Sequence, residues 1–207
     1  MEKTKLQKLF QHVPNALTLG RLVLTLIFLS MILYAPQTGE AKPAGLLLGA
    51  FILFIIAGLT DIVDGHIARR FEVTSKFGRI VDPLADKILV CGSYICFAIV
   101  HQPRLESFDF SPTTLAIIHW GAAVILCARE IGVQTLRYIA ESRGVNFGAV
   151  ASGKIKMLLQ SFGIGTVLIG WAYVSRPWGD WFTIIIYILL VGVTIWSGID
   201  SLRRPIK

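Results

Sequence analysis

The sequence predicts an all-α membrane protein: six transmembrane helices behind a short N-terminal amphipathic interfacial helix, with both termini in the cytoplasm. Three observations carry this. Of the 207 residues, 54% are hydrophobic and the mean hydropathy is +0.66, a composition of integral membrane proteins. The apolar residues gather in six runs, and several reach the about 20 helical residues that cross a hydrocarbon core of about 30 Å. The 20 Lys and Arg residues are also unevenly placed: in a six-span arrangement only Lys42, Arg104 and Arg176 fall on one side. The other seventeen share the opposite side, which the positive-inside rule makes cytoplasmic. The length suits a single domain over 1–207, with 1–13 as a juxtamembrane helix and 14–207 as a six-helix bundle.

The elements follow in order. In residues 2–12, Leu6, Leu9 and Phe10 stand against Lys3, Lys5 and Lys8, the pattern of an amphipathic interfacial helix or of a disordered basic start. Pro14 and Asn15 interrupt it, and the first span is expected over about 17–34. That run has no small-residue cleavage site near its end, so it is expected to stay as a membrane helix. After a polar turn-rich loop at 36–43, the second span runs from about 44 to an acidic stretch. The third is expected from about 80 or 82 to 100, with Pro83 in its first turn, where a missing N–H costs nothing. A polar loop at 101–112 leads to a fourth span at about 113–138 or beyond, too long for a simple crossing. The fifth covers about 155–174. A tight turn at 176–180 precedes the sixth, at about 181–199, and Trp178 and Trp181 suit the interface opposite the basic side.

The net charge of +7 does not point to nucleic acid, because the basic residues sit in inter-helix segments rather than on a soluble face. An anionic lipid surface and phosphate-bearing substrates suit them better. Cys91, Cys96 and Cys127 all lie in apolar runs without metal-type pairing, and read as small buried residues rather than a disulfide framework.

The chemistry concentrates in 61–86, DIVDGHIARRFEVTSKFGRIVDPLAD. Asp61 and Asp64 are three apart, Asp82 and Asp86 four apart, so on helices each pair shares a face. Two helices joined by a turn at 70–77 could aim all four at one point. Carboxylates so gathered repel, and near lipid they are costly unless neutralised. As caps or solvated turn residues they would be unremarkable singly, but not as a group of four. Oxygen donors without Cys or a compact His set suit hard cations such as Mg²⁺ or Mn²⁺, which commonly bridge carboxylates to a diphosphate. Gly65 and Ala68 lie on the face of Asp61 and Asp64 and leave room for a ligand, and Arg69 supplies a planar donor for phosphate. His66 lies within the stretch without an assigned role; His12, His101 and His119 read as incidental.

This stretch resembles the signature of the CDP-alcohol phosphatidyltransferases, D-x-x-D-G-x-x-A-R-x8-G-x-x-x-D-x-x-x-D. Asp61, Asp64, Gly65, Ala68, Arg69, Gly78, Asp82 and Asp86 match every fixed position. VPNALTLGRL at 13–22 and AREI…LR…ASGKIK…Q at 128–160 are similar to the bacterial branch of that family that makes phosphatidylglycerophosphate, so the resemblance covers most of the chain. It implies one or two Mg²⁺ or Mn²⁺ held by Asp61, Asp64, Asp82 and Asp86, with Asp86 also the general base. It implies a CDP-diacylglycerol site formed by Asp61, Gly65, Ala68, Arg69 and Gly78. It further implies a homodimer in the bacterial cytoplasmic membrane, among membrane lipids, with the site open to the cytoplasm. Asn15, Thr18 and Arg21 recur every three residues and so share a face. They read either as a cap and a snorkelling Arg or, as the resemblance implies, as further donor ligands.

A second constellation bears on the acceptor. Arg129 and Arg137 are eight apart, about two turns, and Lys154 follows a Gly/Ser-rich loop that also carries Ser152. Arg129 within an apolar span needs an anion. A structural Arg129–Glu130 pair with Arg137 snorkelling would supply one, although neighbours in a helix do not face each other. Otherwise Arg129, Arg137, Ser152 and Lys154 bind a phosphate, and the acceptor is itself phosphorylated. The reaction expected is transfer of the phosphatidyl group from CDP-diacylglycerol to sn-glycerol-3-phosphate, giving phosphatidylglycerophosphate and CMP, the first committed step toward phosphatidylglycerol and cardiolipin. An inositol phosphate acceptor stays open. A cation path through the acids is the rival from another class, but it has no use for the basic residues.

Overall fold

Among the described residues of the computed structural model the apolar runs become six long α-helices, and there is no strand. The structure describes the backbone of residues 13–38, 43–71, 76–144, 151–174 and 176–203; the side chains of 13–17, 61–80, 82, 151 and 152 also lie outside the description. The helices are α1 (Val13–Tyr34), α2 (Ala44–Phe71), α3 (Lys76–Ile99), α4 (Pro112–Ser142), α5 (Ala151–Tyr173) and α6 (Pro177–Leu202). Short 3₁₀ turns occupy Ala35–Thr38 and Glu106–Phe108. Among the described residues four stretches are long and apolar enough to cross a membrane, Thr18–Thr38, Pro112–Ser142, Gly153–Tyr173 and Pro177–Leu202, and Ala44–Thr60 is a shorter apolar helix segment. Large apolar side chains such as Ile117, Leu158 and Ile188 are more than 60% exposed. Such outward faces belong in lipid, and the chain is a membrane protein.

Several boundaries differ from expectation: α1 starts at Val13 rather than about 17, taking Pro14 into its first turn, and α5 starts at Ala151 rather than about 155. α2 runs on to Phe71 and α3 begins at Lys76, so both ends of the turn expected at 70–77 are helical. α3 starts at Lys76, so Pro83 lies inside the helix rather than in its first turn; the carbonyl of Arg79 thereby loses its helical donor. α6 starts at Pro177, with Arg176 as the extended residue before it, so the tight turn expected at 176–180 is a helical first turn with Pro leading. The expected interfacial helix at 1–13 lies outside the described residues, apart from Val13, which opens α1.

The chain forms two compact units, Met1–Ser93 and Tyr94–Lys207. In the first, α1 packs on α2 through buried Phe28, Ile32, Leu47, Ala50, Phe54 and Ala57, with the rings of Phe28 and Phe54 5.6 Å apart. Gly92 lets α3 approach α1: a Cβ there would come 2.8 Å from Leu29 Cδ1.

In the second unit α6 packs on both α4 and α5 around Leu126, Ile164, Leu168 and Leu190. The segment before α4 is an ordered connection rather than a plain polar loop. Ser107 donates from its backbone N–H (2.9 Å) and its hydroxyl (2.5 Å) to Asp180 Oδ2 at the start of α6. Phe108 meets Trp181 edge to face. His119, expected to be incidental, is buried and pairs through Nε2 with the Pro103 carbonyl at 2.8 Å. Ser111 caps α4 by accepting from the Thr114 N–H, and Pro112 follows at the first helical position, a sequence-typical start. At about 1.5 Å per residue, the 31 residues of α4 extend about 46 Å, beyond a hydrocarbon core of about 30 Å.

Candidate active site

The acidic motif rides on unbroken helix. Asp61 and Asp64 fall within α2, and Asp82 and Asp86 within α3, so each pair holds the face-sharing spacing that its sequence separation requires. Asp86 is half-buried; the side chains of Asp61, Asp64, Gly65, Ala68, Arg69, Gly78 and Asp82 lie outside the description. The described residues contain no group of three or more metal-ligating side chains, and three of the four aspartates fall outside that set. The donor set itself, carboxylates only on two facing-capable helices, has the chemistry that a hard divalent cation requires.

On α1, Thr18 and Arg21 are 1% and 2% exposed. The three-residue spacing therefore turns both to a buried face, and Arg21 is enclosed by protein instead of snorkelling. Asn15 lies within the first turn of α1, its side chain outside the description.

The basic constellation of the second unit is built around a carboxylate. Glu130 on α4 accepts at Oε1 from Lys156 Nζ on α5 and from Gln160 Nε2 at 3.3 Å. The same oxygen lies 3.5 Å from Arg129 Nη1. Arg129 Nη2 donates to Ser197 Oγ on α6 at 2.6 Å. The cluster is deep: Arg129, Glu130 and Lys156 side chains are 12%, 11% and 4% exposed. Tyr94 closes it by donating its hydroxyl to the Gln160 carbonyl at 3.0 Å, next to Gly163, where a Cβ would come 2.5 Å from that hydroxyl.

This arrangement contains the Arg129–Glu130 pair that adjacency on one helix had weakened as an expectation. Their Cβ atoms diverge, but both side chains are long, and Lys156 and Gln160 draw the carboxylate to one point that Arg129 also reaches. Arg137 is half-buried one face-repeat along α4, and Lys154 is exposed in the first turn of α5; Ser152 lies outside the side-chain description. The Nε atoms of both Arg129 and Arg137 are buried without a hydrogen-bond partner. Sequence reasoning passed over Lys156 and Ser197 as site residues. The available signal was a Lys and a Gln four apart, Lys156 and Gln160, within an apolar run: a polar stripe with no reason to face lipid.

A family model described as CDP-alcohol phosphatidyltransferase matches residues 11–196, nearly the whole described chain. The chain belongs to the CDP-alcohol phosphatidyltransferase family. Among its relatives in that family is the CDP-diacylglycerol–glycerol-3-phosphate 3-phosphatidyltransferase of Bacillus subtilis (strain 168), 35% identical over 179 residues, or 82% of this chain and 84% of the relative. The protein of Shigella flexneri serotype 5b with the same name is 30% identical over 195 residues, covering 92% and 93%. A probable phosphatidylglycerophosphate synthase of Mycobacterium tuberculosis (strain ATCC 25618 / H37Rv) is 28% identical over 199 residues, 95% and 82%.

Proposed function

We propose that this chain transfers the phosphatidyl group of CDP-diacylglycerol to sn-glycerol-3-phosphate, releasing CMP and forming phosphatidylglycerophosphate. The observation that carries the acceptor assignment is the pair of guanidinium groups on α4: the Nε atoms of Arg129 and Arg137 are both buried without a hydrogen-bond partner. Buried cationic groups in a membrane helix are costly unless matched, so this pair favours an anionic acceptor. Serine or choline would not match it. The names of the relatives favour glycerol phosphate over inositol phosphate.

In this reading Arg129, Arg137, Lys154 and Ser152 hold the acceptor phosphate. Asn15, Thr18 and Arg21 on α1, with Asp61, Gly65, Ala68, Arg69 and Gly78, hold the CDP-diacylglycerol headgroup. Asp61, Asp64, Asp82 and Asp86 hold one or two Mg²⁺ or Mn²⁺. A bound divalent ion would polarise the donor diphosphate and offset charge on the departing CMP. Asp86 takes the proton from the acceptor's 1-hydroxyl, which must therefore lie within hydrogen-bond reach of the carboxylate. The hydroxyl oxygen then bonds to the phosphorus that carries diacylglycerol, and the phosphoanhydride bond to CMP breaks. The acyl chains stay in lipid throughout. The six helices span the membrane with both termini and the site on the cytoplasmic side, in the bacterial inner membrane, and the protein works as a homodimer.

The test is transfer by the purified protein of radiolabelled sn-glycerol-3-phosphate to CDP-diacylglycerol, with inositol phosphate offered in parallel. Chelation should stop transfer and added Mg²⁺ or Mn²⁺ should restore it. Turnover with inositol phosphate alone would overturn the acceptor assignment.

A further inference from the structure

We propose that Glu130, Lys156 and Ser197 are positioning residues that set the guanidinium of Arg129 for the phosphate of the acceptor. This rests on the acceptor reading above and concerns residues that do not themselves touch the substrate. The geometry points to a brace. Arg129 is held at both terminal nitrogens, Nη2 by Ser197 Oγ on α6 at 2.6 Å and Nη1 near Glu130 Oε1 of its own helix at 3.5 Å. Two such contacts fix the plane of a guanidinium, the property that makes Arg a directional phosphate ligand. Its stem passes beside Gly198 on α6, where a Cβ would lie 3.5 Å from Arg129 Cγ. Glycine there gives the side chain its lane.

A purely structural bridge explains this poorly. One cation would satisfy Glu130, and Lys156, whose side chain is 4% exposed, already takes that place with Gln160 beside it. Arg129 sits at the outer, longer contact, with Nε buried and unpartnered. Buried ion pairs commonly add little to stability compared with apolar packing, so the second cation needs another purpose. Lys156 serves by anchoring the carboxylate, and Ser197 by holding the far edge of the guanidinium.

Ser197→Ala tests this mildly, since it deletes only a hydroxyl. Losing a hydrogen bond to a charged group and the alignment it enforces should raise the KM for sn-glycerol-3-phosphate about tenfold. The KM for CDP-diacylglycerol should move less than about twofold, and kcat at saturating acceptor less than about threefold, by the same argument. Arg129→Ala should also raise the acceptor KM, and adding Ser197→Ala to it should have little further effect, as coupled residues behave in a double-mutant cycle. An unchanged acceptor KM in Ser197→Ala, or an effect that persists in full without Arg129, overturns the brace while leaving the acceptor site standing. An unchanged acceptor KM in Arg129→Ala, from a wild-type protein that does use glycerol phosphate, overturns both.

Discussion

Glu130→Gln isolates the electrostatics of the buried cluster. The substitution keeps the shape of the side chain and removes its charge, so Lys156, 3% exposed, loses the carboxylate that compensates it, and Arg129 loses its nearest anion. Removing one partner of a buried ion pair costs about 3–5 kcal/mol. The glutamine oxygen can still accept from Lys156, which places the expected loss near the lower end, about 3 kcal/mol. In a chain of this length each kcal/mol lowers the midpoint by about 2–4 °C, so a fall of roughly 10 °C is expected. Thermal unfolding of detergent-solubilised protein followed by tryptophan fluorescence reads this directly, with five Trp as reporters. Pairing Glu130→Gln with Lys156→Met should recover most of the loss, because the buried cation that faced Glu130 is then removed as well. A single variant within about 2 °C of wild type, or a double variant no more stable than the single, would refute the assignment of Glu130 as the charge-balancing centre.

Three further outcomes are expected. Asp86→Asn should lower transfer by at least about a thousandfold while leaving the melting midpoint and CDP-diacylglycerol binding near wild type, since a lost general base alone costs about 10²–10⁴ in rate; near-normal turnover would remove Asp86 from the mechanism. Lys154→Ala, at an exposed position in the first turn of α5, should raise the KM for glycerol phosphate about tenfold with little change for the lipid donor, measured by varying each substrate against the other at saturation. Gly163→Ala should destabilise by about 1–3 kcal/mol, because the new methyl would lie 2.5 Å from the Tyr94 hydroxyl; Tyr94→Phe in the same chain removes the clashing atom and should return part of the stability in the same melting assay.

Much of the fold was legible because lipid imposes a simple rule: apolar runs of sufficient length become helices, and polar breaks become connections. α4 opened at Pro112, one residue from the start expected at about 113. The start of α3 was not legible, since Pro83 is a common helix-start signal and nothing local announces that the helix already began at Lys76. The candidate site divides the same way. Repetition along one helix put Thr18 and Arg21 on a common buried face. His119 was unreadable because its partner, the Pro103 carbonyl, is a backbone atom with no signature of its own.

The sequence alone determined that this is a helical membrane protein of the CDP-alcohol phosphatidyltransferase family, because hydropathy and a spaced motif of charged residues are properties of the chain read along its length. Only the tertiary structure decided what Glu130 does. Its partners stand 26 and 30 residues away on α5, and Ser197, which holds Arg129, is 68 residues away on α6. Helical periodicity states which residues share a face, but the rotation and axial register of one helix against another follow from how all their side chains pack, and many apolar sequences satisfy the same packing.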